Sequence, residues 1–574
     1  MKKLLLHFVK ITLIIFMTAL STTAAAESKS EPFTIDYIEY VIVDNEYAEI
    51  TNVIHCDYDY LTLPSSINHN GTTYAVKKIS EYALSNCQLT SITIPSSVTD
   101  IENNPFQHCI SLDNIFVDND NPKYTDIDGV LYDIDKTTLI SCPTTRINCT
   151  IPDSVTTIGD HAFANCKVIS ITLPNSVTTI DNWAFNSCYD LNTITIPTSV
   201  KTIGSFAFIF CKSLRKVTIP YSVSEIGDNP FCNCSSLENI SVMGTSGCQF
   251  WAIDGILYNV ERTKLIACPG AKKECIIGPS VETIGNRAFG GCNNLVSVNL
   301  PNSVTTIGTG AFASCNKLQS ISLPNSVTTI GSDAFIVCIS LDSIIIPNSV
   351  TTIGARAFWC CHELKSLYLG NSIHTIDEMA FAGCPLKTIH TFAQECPVSG
   401  NSAFFETPAD AVVYVPKESL ESYQSGWSEW FSDFRILGGL EINLNTTSLE
   451  MNIGDTQHLI ATITKEDDVP IVSESWESSN PAVSTVENGK VTAVGTGEAT
   501  ITYTAVDGLC QNTYSASCKL IVSELDGINS TAVNNASQQI MYYNLNGSHI
   551  PAETLAPGLY IKRQGSKTEK ILVK

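Results

Sequence analysis

Charged residues are scarce in this chain, and basic ones most of all. Asp, Glu, Lys and Arg make up only 16% of the 574 residues, with 57 acidic against 33 basic side chains and a net charge of −24. Phosphate backbones and anionic lipids repel such a chain, so we expect no nucleic-acid partner. The acidic residues are spread rather than clustered, which is typical of a solubilising surface.

Motifs of common enzyme and metal sites are also missing. The sequence contains no GxSxG, HExxH or P-loop motif, no GxGxxG after a strand and no CxxC pair. The acidic stretches "DNDN" (118–121) and "DIDG" (126–129) match no complete calcium loop, and we interpret them as solvated turns. We therefore predict a protein that is not an enzyme, with no catalytic residue, no cofactor and no metal ligand. A hydrolase whose catalytic residues come from distant positions stays open as an alternative.

Long apolar runs are absent except at the start of the chain. Residues 1–26 combine the basic Lys2 and Lys3, an apolar stretch and the small residues Ala24 to Ala26, which predicts a secretory signal peptide. No other segment is apolar over eighteen consecutive residues, so we predict no transmembrane segment. We expect the mature chain to be secreted and either extracellular or attached to the outer surface.

What the sequence has in abundance is one repeated phrase between residues 76 and 405. Prolines of "IPxSV" or "LPxSV" recur every 23 residues, and the tag [AP]-[FL]-x-x-C recurs eleven times. In each unit "LxSIxIP" alternates like a strand, "SVTTIG" is a second extended piece, and "AFxxC" returns Phe and Cys to the core. Two longer copies, 124–152 and 250–278, resemble each other and each add a coil. We predict a mainly β solenoid of about fourteen coils, because one unit alone buries too little apolar surface to fold.

The repeat resembles a known family. The phrase "IPxSVTxIGxxAFxxCxxLxSIxIP" is similar to the BspA-like leucine-rich repeat, and the insert "IDGVLY…LISCP" resembles a variant in that family. This resemblance implies an adhesin-like surface protein that binds host matrix or cell-surface proteins, or other bacterial surface molecules. A carbohydrate-binding protein that captures glycans stays open as an alternative. We expect the protein to be a monomer.

Other regions flank the repeats. We predict an N-terminal β cap at residues 27–75 and a C-terminal cap at 406–439. Aromatic residues of the second cap are expected to close the end of the solenoid, with a functional aromatic cluster as the alternative. They are Trp427, Trp430 and Phe431.

Two further β domains follow. Residues 440–523 resemble the bacterial Ig-like group 2 domain through "SWESSNPAVSTVENGKVTAVGTGEATI", with Trp476 as the expected core residue and "ENG" (487–489) as a hairpin turn. Residues 524–574 resemble the C-terminal sorting domain of type nine secretion substrates through "YNLNG", "PGLYI" and "KILVK". A small β tail without a sorting role is the alternative.

The chain has 22 cysteines, and most sit at equivalent places in successive coils. Equivalent side chains are about 4.8 Å apart, whereas a disulfide needs Cβ atoms about 3.5–4.5 Å apart. We therefore predict buried free thiols at Cys166, Cys188, Cys211, Cys234, Cys292, Cys315, Cys338, Cys361 and Cys384. Better candidates for pairing are Cys142 with Cys149 and Cys268 with Cys275, which share one spacing in the two inserts, and pairing of Cys510 with Cys518 is left open.

Outward strand positions carry Ser or Thr through most coils, and this rule breaks in the C-terminal coils and the inserts. Large aromatic residues anchor many interfaces. Our candidate interaction surface therefore consists of Trp359, Tyr368, Trp251 and Phe250. The alternative is that these side chains fill the core or gaps in the inserts.

Overall fold

The computed structural model describes residues 27–54, 59–244, 247–437, 440–465, 471–507, 513–524, 540–564 and 567–573. The predicted signal peptide and Cys510 lie outside these residues. One compact unit contains the described residues up to 437, and a second contains nearly all described residues from 440 onward. Strands account for 39% and helices for 3%, which confirms the mainly β prediction.

A mixed sheet opens the first unit. Its early strands pair antiparallel, and parallel pairing begins where Tyr47–Val53 meets Thr72–Ile79. Thr72–Ile79 also pairs in parallel with Asp100–Ile101, which belongs to the first repeats. The strands of this sheet are Phe33–Ile35, Ile38–Val43, Tyr47–Val53, Ser66–His69, Thr72–Ile79 and Asp100–Ile101.

Two sets of parallel strands build the solenoid, as the repeat predicts. The set called here the Thr–Ile ladder comes mainly from "TTIG" and consists of Thr157–Ile158, Thr179–Ile180, Thr202–Ile203, Glu225–Ile226, Thr283–Ile284, Thr306–Ile307, Thr329–Ile330, Thr352–Ile353, Thr375–Ile376 and Val398–Ser399. The set called the Ser–Ile ladder comes mainly from "SIxI" and consists of Tyr60–Thr62, Ser91–Ile94, Asn114–Val117, Ser170–Thr172, Thr193–Thr195, Lys216–Ile219, Asn239–Val242, Glu274–Ile276, Ser297–Asn299, Ser343–Ile346, Ser366–Leu369, Thr388–Thr391, Val412–Val415 and Asp433–Ile436.

The solenoid has about 16 turns of about 23 residues, slightly more than the repeats alone indicate. The extra turns lie at its two ends. Tyr60–Thr62 pairs in parallel with the first repeat strand, Ser91–Ile94. At the other end Val412–Val415 and Asp433–Ile436 continue the Ser–Ile ladder beyond residue 405.

Each insert adds an antiparallel hairpin and interrupts the Thr–Ile ladder. The strands of the inserts are Tyr124–Ile127, Val130–Asp133, Thr138–Ser141, Phe250–Ile253, Ile256–Asn259 and Lys264–Ala267. At the first interruption the Tyr124 hydroxyl accepts a hydrogen bond from the Ile101 N–H at 3.0 Å. Phe250 holds the place of Tyr124 in the second insert and has no hydroxyl. A cavity of about 230 Å³ lies at that second interruption, lined in part by Asp228, Lys264 and Asn286.

Columns of identical residues fill the solenoid. Phenylalanines of "AFxxC" stack nearly parallel, with ring centroids 4.8 to 5.6 Å apart from Phe289 to Phe404. All nine cysteines predicted to be free are buried thiols, which confirms that prediction. Their S–H groups donate to backbone carbonyls of the preceding coil, as Cys188 does to Phe163 at 2.9 Å.

The C-terminal cap closes this core. A short 3₁₀ helix, Lys417–Ser419, leads into the α-helix Leu420–Gly426. Trp427, which follows the helix, is fully buried, packs 5.1 Å from Phe404 and donates its indole N–H to the Pro397 carbonyl at 3.2 Å. Phe431 belongs to the same core and Trp430 packs against it, which confirms their predicted capping role.

The second unit contains the Ig-like sandwich. Its strands are Glu441–Leu444, Ser448–Asn452, Thr456–His458, Ala461–Thr464, Ile471–Ser478, Ser484–Glu487, Lys490–Ala493, Gly497–Asp507 and Thr513–Ser523. Trp476 packs against the core beside Tyr503, at 4.9 Å. Asn488 and Gly489 both have positive φ angles and form the predicted hairpin turn. Cys518 is a free buried thiol, and Cys510, the partner left open for it, lies outside the described residues.

Four short antiparallel strands lie near the end of the described chain. They are Ile540–Tyr543, His549–Ile550, Gly558–Gln564 and Lys567–Val573, with a 3₁₀ helix at Ala552–Thr554. Gly547 takes a φ of 79° in the first turn, which a side chain would disfavour. None of the helices in the described ranges is long and apolar enough to span a bilayer.

Candidate interaction surface

Outward positions of the Ser–Ile ladder lie in register from coil to coil. Ser170 is paired with Thr193 and Thr172 with Thr195, so hydroxyls stack in two columns. Further along, the Thr218 and Ser241 hydroxyls are 2.9 Å apart and hydrogen-bonded. This confirms the predicted hydroxyl face.

The same column changes character in the last coils. Its successive members are Ile345, Tyr368, His390, Tyr414 and Arg435. The Tyr368 and His390 rings stack at 4.7 Å and 21°, and the His390 and Tyr414 rings stack at 4.6 Å and 11°. We call Tyr368, His390 and Tyr414 the Tyr–His–Tyr stack. It replaces three hydroxyl positions with rings.

Stacking determines what this surface presents to solvent. His390 is only 7% exposed although it lies on the outer column, because a tyrosine ring covers each of its faces. Tyr368 and Tyr414 are half-buried, so they expose mainly their ring edges and hydroxyls. The surface therefore favours edge contacts and hydrogen bonds over stacking on an open ring face.

An ion pair borders the stack. Arg435 donates two hydrogen bonds to Asp433, at 3.1 and 2.7 Å, and lowers the pKa of that carboxyl. Beside the rings, the Thr388 hydroxyl donates to Ser366 at 3.2 Å. Aromatic edges, hydroxyls and a guanidinium are thus close together on one face.

The predicted site residues lie on three different elements. Tyr368 is on the outer column, and Trp359 is half-buried at a corner, where its backbone N–H donates to the Arg356 carbonyl at 3.1 Å. Trp251 is half-buried in the second insert, with the Arg262 guanidinium 4.6 Å from its ring centre. The structure does not gather these side chains into one patch.

Phe250 is a correction to the predicted surface. Its side chain is only 9% exposed and belongs to the solenoid core. It alternates with Trp251 along one strand, so one of the two must face inward. Phe250 is therefore a core residue and not part of an interaction surface.

A second aromatic row was missed by the sequence analysis. His161, Trp183 and Phe206 stack along the corners at 5.3 and 5.8 Å, and Arg287 lies 5.9 Å from the Phe206 ring. His161 is also hydrogen-bonded to Asp160. All four row members directly precede the Ala of "AFxxC", which is the signal that could have revealed the row.

Histidine, cysteine and acidic side chains in the described part of the chain are not clustered as metal ligands. No group of three or more His, Cys, Asp or Glu side chains there is placed to hold an ion. In the "DNDN" stretch Asn121 is buried and donates to the carbonyls of Pro95 and Val98, at 2.8 and 3.0 Å. That side chain holds two turns together.

Comparison with known families gives two matches. The family model for the BspA type leucine rich repeat region matches residues 38–128, 132–247 and 273–409. The model for the bacterial Ig-like domain (group 2) matches residues 441–513.

Individual relatives cover different shares of the chain. An uncharacterized protein of Clostridium acetobutylicum is 46% identical over 67 residues, which are 12% of this chain and 17% of that protein. A leucine-rich cell surface protein of Faecalibacterium prausnitzii is 30% identical, with a TM-score of 0.43, and the match covers 63% of this chain and 95% of that one. The pneumococcal vaccine antigen PcpA is 24% identical, with a TM-score of 0.46 and coverage of 71% and 99%. The repeat match spans most of the chain, which therefore belongs to the BspA-type leucine-rich repeat family and carries a bacterial Ig-like domain of group 2.

Proposed function

We propose that this chain is a non-catalytic, adhesin-like surface protein that binds host or bacterial macromolecules, chiefly proteins, through the outer face of its C-terminal coils. The observation that carries this is the Tyr–His–Tyr stack. It places three rings where most other coils, such as those of Thr172, Thr195 and Thr218, present small hydroxyls, and large aromatic side chains dominate protein interfaces. Membership of a repeat family with surface-displayed members supports the proposal.

Glycan capture has less support from the site. Sugars bind proteins by stacking on open aromatic faces, and the faces of His390 are covered by its neighbours. Trp251 in the second insert has the Arg262 guanidinium over its ring. We therefore favour a protein ligand over a glycan.

The test uses a double substitution that restores the threonine found at this outward position in other coils. Tyr368→Thr with Tyr414→Thr places threonine where Thr172 and Thr195 already stand, so we expect the fold to be retained. The purified chain would be screened against arrays of host matrix proteins, glycans and bacterial surface preparations. We expect protein ligands, and a loss of affinity of at least about tenfold in the double variant.

The matched control is Tyr60→Thr. Tyr60 is 76% exposed on a Ser–Ile strand at the opposite end of the solenoid, so its loss should leave binding unchanged. Unchanged binding by the double variant would exclude the stack as the site. Binding only to glycans, or to nothing on the arrays, would overturn the proposed function.

We also propose that the chain is exported through its N-terminal signal peptide and that residues 524–574 act as a sorting domain. The support is the motif resemblance and the compact four-stranded sheet. Deleting residues 540–574 should abolish export or surface attachment in a host with type nine secretion. Normal surface display of the truncated chain would contradict this role.

A further inference from the structure

The Thr–Ile ladder has an open edge at its second interruption. Where the ladder is continuous, each isoleucine carbonyl accepts a hydrogen bond from the next coil, as Ile203 does from the Gly227 N–H at 2.9 Å. The Gly285 N–H would be the equivalent donor to Ile226, but it donates to the Leu265 carbonyl at 2.9 Å instead. Within the described residues, the Ile226 carbonyl therefore has no ladder partner.

The N–H of the same isoleucine also faces the interruption. At the first interruption the equivalent N–H, that of Ile101, donates to the Tyr124 hydroxyl at 3.0 Å. Phe250 holds the place of Tyr124 in the second insert, and its side chain has no atom that accepts a hydrogen bond. Among the residues that the structure describes, no other acceptor replaces that hydroxyl for the Ile226 N–H.

The cavity of about 230 Å³ lies against this open edge. It is lined by Ile226 and Gly227 from the coil before the interruption and by Lys264, Ile266 and Gly285 from beyond it. Its volume is that of about seven water molecules at roughly 30 Å³ each. Ile226 is half-buried, whereas the ladder isoleucines away from the interruptions are buried. The cavity thus reaches the unpaired main-chain groups and has room for a short segment of extended chain.

Unpaired main-chain groups at the edge of a sheet are a template for another strand. A strand that adds there supplies one N–H to the Ile226 carbonyl and one carbonyl to the Ile226 N–H. The ladder strand at this edge, Glu225–Ile226, is only two residues long, so a segment of similar length would continue the ladder. The chemistry of the edge therefore matches a peptide main chain.

The charges of the cavity wall also suit a peptide. Asp228 and Lys264 contribute one charge of each sign, so the lining does not repel a neutral main chain. The Asn286 amide donates to the Asp228 carboxylate at 3.2 Å and holds it in place. Asp228 favours a basic side chain in the ligand, and Lys264 favours an acidic one.

We propose that this cavity binds a short extended peptide segment of a partner protein, which adds as a strand to Glu225–Ile226. Main-chain hydrogen bonds to Ile226 supply the affinity, and Asp228 and Lys264 select among side chains. The site is separate from the Tyr–His–Tyr stack and goes beyond the function proposed above.

Capped peptides test the proposal on the full chain. The probes are acetylated and amidated VTTIG, the strand sequence that this ladder repeats, and a library of capped tetrapeptides with lysine and glutamate at every position. We expect binding, measured by ligand-observed NMR. Alternate amides of an extended strand face opposite sides, so N-methylation of the amide that faces Ile226 should abolish binding, whereas methylation of its neighbours should not.

A single hydroxyl should close the site. Phe250→Tyr supplies the acceptor that Tyr124 supplies in the first insert, and we expect it to lower peptide affinity about tenfold. The matched control is Phe405→Tyr, which adds the same hydroxyl to an exposed phenylalanine in the last coils and should leave affinity unchanged. The double variant Tyr368→Thr with Tyr414→Thr should also bind the peptides normally, which separates this site from the stack.

Three outcomes would overturn the proposal. The first is that no peptide binds at about 1 mM, in which case only water occupies the cavity. The second is that every N-methylated form of a bound peptide binds equally, because strand addition requires the amide that faces Ile226. The third is equal affinity of Phe250→Tyr and the wild-type chain, which would place the bound peptide elsewhere.

Discussion

At the scale of single residues, the corner of each coil requires a backbone conformation that residues with side chains rarely adopt. The residue before Ala and the residue before Cys in "AFxxC" adopt positive φ in almost every coil, as at Trp183 (50°) and Ser187 (59°). Asn or Gly meets this demand at some corners, but Val337 also takes φ 59°. A β-branched side chain is strained in that region because its Cβ approaches the backbone.

Val337→Asn should therefore stabilise the solenoid. Asn occupies the same position at Asn165 and Asn233, where φ is 62° and 60°. We expect the free energy of unfolding to rise by about 1 kcal/mol, measured by urea denaturation.

The opposite change provides the control. Gly383 has φ 72° in the equivalent position, and a Cβ there would meet its nearest neighbour, the Cys360 sulfur, at an ordinary 3.5 Å. Gly383→Val should lower the free energy of unfolding by about 1–2 kcal/mol through backbone strain alone. Equal stability of the two variants would contradict the strain argument.

The buried repeat thiols predict a pH dependence. Burial raises the pKa of Cys211, Cys315 and Cys361 well above 9.0. Above that pH these thiols ionise in the unfolded chain while staying protonated in the folded one, so the unfolded state releases protons. The free energy of unfolding should be insensitive to them below about pH 8 and fall above pH 9, by up to about 1.4 kcal/mol per pH unit for each thiol.

Replacing these three cysteines with alanine tests whether they cause the fall in the free energy of unfolding above pH 9. The variant should be less stable at neutral pH, because three buried sulfurs are lost, but its stability should decline less steeply between pH 9 and 11. Denaturation curves across this pH range measure both effects. An unchanged slope would assign the alkaline loss to other groups, such as buried tyrosines.

At the scale of elements, the phenylalanine column holds neighbouring coils together. Phe335 stacks on Phe312 at 5.1 Å and on Phe358 at 5.0 Å, and all three are fully buried. Phe335→Ala should lower the free energy of unfolding by about 3–5 kcal/mol, since it removes a buried ring and leaves a cavity between two coils. Chemical denaturation gives the value.

Phe405 is the matched control for this loss. It follows the column member Phe404 directly but is 52% exposed. Phe405→Ala should change stability by less than about 0.5 kcal/mol. Similar losses in the two variants would show that the column contributes nothing beyond ordinary contacts.

At the scale of the whole molecule, the chain consists of two compact units with separate cores. We expect calorimetry to show separate transitions. Trp427→Ala should lower the melting temperature of the solenoid by several degrees, because Trp427 covers the end of the phenylalanine column. Val491→Ala, in the Ig-like core, should shift only the other transition. A common shift in both variants would show that the units unfold together.

Repetition explains how much of the fold could be predicted. A fixed 23-residue period places Ser170, Thr193 and their equivalents in register, and it keeps repeat cysteines one rung apart, too far for a disulfide. The strands, corners, buried thiols and Ig-like domain follow from local patterns that recur. The extra turns at the N- and C-terminal ends could not be predicted from the repeat, because their strands join the ladders without carrying the repeated phrase.

By itself, the sequence determined the strand register and the residues that face inward, because periodicity specifies both, and its repeated phrase carried the resemblance to the family. Only the tertiary structure determined which residues that depart from the repeat contact one another. Tyr368, His390 and Tyr414 are 22 and 24 residues apart rather than 23, so the period does not align them, yet strand pairing stacks their rings. Likewise Phe250 and Trp251 are adjacent in sequence, and only the direction of the insert strand places one in the core.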